Sequence, residues 1–102
     1  MMKRFLLALL VATTVSTPAL ADLALATSKN CMTCHSVDKK VIGPAFKDVA
    51  AKYAGQPAMV DILAAKIMHG GGGVWGPVPM PANTQVTAAQ AKQLASWVLS
   101  LK

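Results

Sequence analysis

Past its fourth residue the chain has no arginine, and it has no glutamate anywhere. Without arginine there is no planar fork for bidentate recognition of phosphates or bases. Only four aromatic residues, Phe46, Tyr53, Trp75 and Trp97, lie beyond position 21. These scarcities argue against a nucleic-acid partner. Cysteine is scarce too, limited to Cys31 and Cys34. A bridge between them would close a very short loop and constrain the unfolded chain little, which excludes a disulfide framework as the source of stability. Strand-type alternation is almost missing, and no apolar run is long enough to span a bilayer.

The N-terminal residues resemble an export signal. Lys3 and Arg4 form a basic end, Phe5 to Ala12 an apolar stretch, and Ala19-Leu20-Ala21 a small-x-small cleavage site. Thr13, Thr14, Ser16, Thr17 and Pro18 end the apolar stretch. The expected organisation is a cleaved signal over residues 1–21 and one domain over 22–102, exported to a bacterial periplasm without stable membrane insertion. Removing 21 of 102 residues leaves 81. A core of that size is marginal alone and needs a staple. The formal charge of +6 falls to +4 without Lys3 and Arg4, carried by eight Lys against four Asp. A modest lysine excess suits a protein that meets acidic partner surfaces.

Helical spacing recurs along the domain. Leu23 to Asn30 reads as a short first helix. Phe46, Val49, Ala50 and Tyr53 obey the i, i+3, i+4, i+7 rule, opened near Pro44 and stopped by Gly55. Val60, Leu63, Ala64 and Ile67 repeat it between Pro57 and Gly70. Thr87 to Gln90 reads as a capping box for a last helix striped by Ala91, Leu94, Ala95 and Val98, with Trp97 and Leu101 widening the stripe. Between the last two helices lies "GGGGVWGPVPMPANTQ". Its glycines and prolines exclude regular structure, while Trp75, Val78 and Met80 suit a rigid functional loop.

The stretch "CMTCH", residues 31–35, carries the chemistry. Disulfide exchange of the thioredoxin type requires a strand before the cysteine pair, and none is visible. Structural zinc requires four ligands, and only Cys31, Cys34, His35 and His69 are strong candidates; adjacent Cys34 and His35 converge poorly on one ion. Cys-x-x-Cys-His is the attachment signature of c-type haem. Two thiols one helical turn apart each add to a vinyl group on one porphyrin edge, and the next residue offers its imidazole to iron. One covalent haem through Cys31 and Cys34 then becomes the core this short chain lacks.

For the second axial position there are four methionines in the domain: Met32, Met59, Met68 and Met80. Met32 sits inside the motif and cannot reach across the ring. Met59 and Met68 fall on a helix, where methionine is mostly filler. Met80 lies between Pro79 and Pro81, whose fixed φ presents the thioether at little ordering cost. His69 is the rival, at a helix end beside glycines.

"CMTCHSVDKKVIGPAFKDVAAKYAG", "GGGGVWGPVPMPAN" and "AKQLASWVLSLK" together resemble the small monohaem bacterial class I cytochromes c, over nearly all of residues 22–102. The resemblance implies an all-α fold of about four short helices wrapped around one haem. It implies His35 and Met80 as iron ligands and the Pro44 carbonyl as partner of the other His35 nitrogen. It further implies Trp75 bonded to a haem propionate and Asn83 donating toward the Met80 sulfur. The branch it resembles donates electrons to nitrite reductases and oxidases. The implied function is a one-electron carrier, not an enzyme, expected as a monomer. Nitrite reductase, a terminal oxidase or a peroxidase are candidate acceptors, and a membrane cytochrome complex a candidate donor. The competing class is an enzyme or gas sensor with a five-coordinate haem.

Overall fold

The computed structural model describes residues 18–102. The signal features at Lys3, Arg4 and Phe5–Ala12 therefore lie outside the described residues. Among the described residues four α-helices occur, in the order α1 (Pro18–Ser28), α2 (Phe46–Lys52), α3 (Met59–His69) and α4 (Ala88–Ser100), with a 3₁₀ turn at Cys31–Thr33 between α1 and α2. No strand occurs among the described residues, only two isolated bridges, His35 with Lys40 and Gly71 with Met80. The all-α expectation of about four short helices holds.

The first helix differs from its expected bounds of Leu23 to Asn30. It starts earlier because Pro18 is tolerated in a first turn and Ala and Leu dominate the next residues. It stops earlier because Asn30 adopts φ 67°, a left-handed conformation that asparagine tolerates. That single residue turns the chain out of α1 and into the cysteine pair.

The hub is α4, which packs most extensively on α3, then on α2 and α1. Its N-terminus is closed by a reciprocal capping box: the Gln90 amide N–H donates to Thr87 Oγ1 at 3.2 Å, and the Thr87 N–H donates to Gln90 Oε1 at 3.1 Å. The core it organises holds Ala26 from α1, Phe46 and Val49 from α2, Ala64 from α3, and Ala91, Leu94, Ala95, Trp97 and Val98 from α4 itself. Trp97 meets the Phe46 ring edge-on, centroids 5.5 Å apart. Among the described residues no side chain larger than alanine is sealed completely, and one side of this core opens onto a cavity.

Candidate functional site

Cys31 opens the 3₁₀ turn and Cys34 closes it, with the Cys34 and His35 N–H groups both donating to the Cys31 carbonyl at 3.2 and 3.1 Å. The chain then doubles back, and Ile42 and Gly43 donate to the Cys34 carbonyl at 3.2 and 2.8 Å. Both thiols are free and half-buried. Burial pushes the Cys31 thiol above its ordinary range, against a smaller opposing effect of a hydrogen bond to its own backbone. A thiol held protonated is unlike the activated thiolate of a disulfide-exchange enzyme. No three His, Cys, Asp or Glu side chains converge among the described residues, which disfavours the zinc reading.

His35 is held on three sides. Its Nδ1 lies 2.8 Å from the Pro44 carbonyl oxygen, the acceptor the sequence suggested. A carbonyl only accepts, so Nδ1 carries the proton and Nε2 keeps its lone pair for a ligand. The Phe46 ring stacks on the imidazole, centroids 4.8 Å apart and planes 25° apart. Gly43 presses on the ring so closely that an added Cβ would fall 2.6 Å from Cε1 and 2.9 Å from Nδ1. The resemblance pointed to the Pro44 carbonyl but not to this cushion beside it. Its one signal was a glycine directly before that proline, which reads equally as a turn.

The opposite wall comes from the loop after α3. Gly70, at φ 77°, ends that helix with its N–H on the Lys66 carbonyl at 2.8 Å. An added Cβ there would fall 2.6 Å from the Met80 carbonyl oxygen, so glycine is required for the returning loop to approach. Gly71 and Met80 exchange backbone hydrogen bonds of 3.1 and 2.7 Å. Three residues on, Asn83 donates to the Ile67 carbonyl twice, from its backbone N–H at 3.1 Å and its side-chain amide at 2.9 Å. That side-chain nitrogen also reaches the Pro81 carbonyl at 3.5 Å. The amide expected to face the Met80 sulfur is thus directed at two backbone carbonyls.

Between these walls lies a cavity of about 210 Å³, lined by Cys34 and His35 on one side, Met80 between Pro79 and Pro81 on the other, and a floor that includes Phe46, Val49, Leu63, Ile67, Ala95 and Val98. Of the four methionines only Met80 lines it, whereas Met32 and Met68 pack against the core and Met59 opens α3. His69 does not line it. Trp75 stands on the rim, 40 % exposed, with Lys52 Nζ 5.6 Å from its ring centroid and 5.8 Å from that of Tyr53. Apart from His35, the only charged or titratable lining residues besides the Cys34 thiol and the Tyr53 phenol are Lys40 and Lys66. Val41, Ile42, Val74 and Val78 are each at least half-exposed, Val41 and Ile42 before the Gly43 cushion and Val74 and Val78 in the Met80 loop.

A flat apolar macrocycle fits this arrangement. The cavity is apolar at its floor, a thiol and an imidazole enter from one wall, a thioether from the other, and the lysines suit the acidic edge of a porphyrin. Haem bound here supplies the Fe(III)/Fe(II) couple.

Comparison with known proteins agrees. The sequence profile of the family described as "Cytochrome c" matches residues 23–102. The chain is 56 % identical over 90 residues to "Cytochrome c-551" of Allochromatium vinosum, covering 88 % of this chain and 96 % of that one. It is 54 % identical over 101 residues to "Cytochrome c-552" of Hydrogenobacter thermophilus, covering 99 % of this chain and all of that one (100 %). The crystal structure of wild-type Nitrosomonas europaea cytochrome c552 superposes with a TM-score of 0.77 at 52 % identity, over 78 % of this chain and 99 % of that one. The class 1 cytochrome MtoD of Sideroxydans lithotrophicus ES-1 superposes at 0.70 with 30 % identity, over 84 % and 98 % of the two chains. Cys31 and Cys34, the sole cysteines, are the residues that attach the family's covalent haem c. The chain belongs to the cytochrome c family, as a small monohaem class I member that transfers electrons and is not an enzyme.

Proposed function

We propose that this cytochrome is a periplasmic one-electron carrier whose haem iron is held by His35 and Met80. The observation that carries the reading is the pair of walls: His35, with Nε2 left free by the 2.8 Å bond to Pro44, and Met80, alone among the methionines of the described residues, line one cavity. The Pro44 carbonyl orients the imidazole and raises its basicity as a ligand. The soft Met80 thioether favours the less charged Fe(II) state, and the apolar floor works in the same direction. With both axial positions held, no place remains for a substrate. Trp75 on the rim offers its indole N–H to a propionate, and Asn83 supports the Met80 loop through its hydrogen bonds to the Ile67 and Pro81 carbonyls.

Export is supported by the signal features of residues 1–21, with cleavage after Ala21. Cleavage there would remove the first turn of α1 and leave Asp22, whose Oδ1 accepts from Gln93 Nε2 at 2.8 Å, as the new terminus on α4. Among the described residues no helix is long and apolar enough to cross a membrane. Electrons would pass through the cavity mouth, where exposed Ile42, Val74 and Val78 offer an apolar contact and Lys40, Lys52 and Lys66 a positive one. Such a surface suits an acidic respiratory partner: a membrane cytochrome complex as donor, and nitrite reductase, a terminal oxidase or a peroxidase as acceptor.

The test is a visible spectrum of periplasmic extract and purified protein, with and without dithionite and carbon monoxide. A carrier gives a reduced c-type spectrum that carbon monoxide barely alters at neutral pH. Ready binding of carbon monoxide would instead indicate an open distal position and a sensor or peroxidase-like role.

A further inference from the structure

The segment that leads into the cysteine pair and the segment beyond Met80 are clasped to each other across 56 positions of sequence. Lys29 Nζ donates to the Gln85 carbonyl at 3.2 Å, and Gln85 Nε2 donates back to the Lys29 carbonyl at 2.9 Å. The same Gln85 nitrogen donates to Asn83 Oδ1 at 3.1 Å. A primary amide has two N–H groups, so both have a partner. Asn83 in turn holds the Ile67 carbonyl through two hydrogen bonds. That carbonyl is among the last four of α3, which have no partner inside the helix. One continuous chain of hydrogen bonds therefore runs from Lys29, through Gln85 and Asn83, to the end of α3.

We infer that Gln85 is a positioning residue for the distal ligand, tying the Met80 loop to the covalently anchored arm of the protein. The inference rests on the reading of Met80 as that ligand. Lys29 stands two residues before Cys31, and thioether attachment at Cys31 immobilises this stretch against the haem. Asn83 stands three residues after Met80, with Pro81 between them limiting the slack. Fixing Asn83 relative to Lys29 thus fixes the thioether relative to the haem. The clasp lies at the surface, where water competes for each hydrogen bond, so its effect is small per bond and enters through the fraction of molecules with the thioether displaced.

The experiment is a cyanide titration of the oxidised holoprotein, monitored by loss of the far-red sulfur-to-iron absorption band, with thermal unfolding measured in parallel. Cyanide competes with Met80, so its apparent affinity rises with the population of the displaced state. Gln85→Ala should bind cyanide about threefold to tenfold more tightly than the parent, the range that one or two lost hydrogen bonds give. Gln90→Ala, which breaks the capping box of α4 and touches no part of the loop, should lower the unfolding temperature and leave cyanide affinity unchanged. Unaltered cyanide affinity in Gln85→Ala, with or without a lower unfolding temperature, overturns the inference and leaves Gln85 a surface residue of the fold. A far-red band that survives in Met80→Ala would remove the ligand assignment itself, which the parent and Gln85→Ala titrations do not touch.

Discussion

The two walls of the haem cavity are built in opposite ways. The His35 wall is local: the turn from Cys31, the return to Gly43 and the Pro44 acceptor all fall within fourteen consecutive residues, 31–44. The Met80 wall is assembled at long range. Its loop is exposed and rich in glycine and proline, and it is tied down through Gly71 and Ile67 at the end of α3 and through Lys29 before the cysteines. The first wall is further secured by two covalent links, whereas the second is held by hydrogen bonds and, in the ligation proposed for Met80, a coordinate bond. The difference locates the protein's weak point. Perturbation should release the distal side while the proximal side stays ligated.

Removal of the distal ligand should break this asymmetry most. In Met80→Ala, haem stays attached through Cys31 and Cys34, while potentiometry should record a substantial drop in reduction potential, on the scale of the roughly 0.8 V that axial ligands span. The reduced variant should bind carbon monoxide readily. An unchanged potential would mean that the two walls do not divide the ligation as described.

Paired glycine substitutions sharpen the contrast. Gly43→Ala places a methyl 2.6 Å from His35 Cε1, and Gly70→Ala places one 2.6 Å from the Met80 carbonyl at a φ of 77°. Each should cost about 1–3 kcal/mol by overpacking or strain. The spectroscopic signatures should separate, because Gly43→Ala disturbs the imidazole against Pro44 whereas Gly70→Ala weakens the far-red band. Identical spectra from the two would deny that the walls respond independently.

A smaller effect is expected from Thr87→Ala, which opens the capping box of α4 at a residue that does not line the cavity. It should cost about 1 kcal/mol in thermal or denaturant unfolding and leave the reduction potential in place. The smallest effect belongs to the lysines at the mouth. If charge assists docking, the second-order rate with an acidic partner falls as salt rises, and a rate flat across ionic strength leaves the apolar rim alone responsible.

Much of this was legible in the sequence because it is local or periodic. The cysteine pair with its histidine, the Phe46 and Leu94 stripes and the Thr87 capping box depend on spacings of a few residues. The chain's own turn at Asn30 was not legible, since a left-handed asparagine reads like any helix-end residue. Nor was the Gly43 cushion, because a glycine needed for contact and a glycine needed for a turn look alike. The direction of the Asn83 amide and the Lys29–Gln85 clasp depend on segments 16 and 56 positions apart, which no local pattern records.

The far-red absorption band of the oxidised protein tests the central claim most directly, measured in the parent and in Met80→Ala, Met59→Leu and Met68→Leu. The parent should show a band that disappears in Met80→Ala alone, since Met59 and Met68 do not line the cavity and a volume-conserving swap typically costs less than about 1.5 kcal/mol. A band that persists in Met80→Ala, or that vanishes with Met59 or Met68, would contradict the claim.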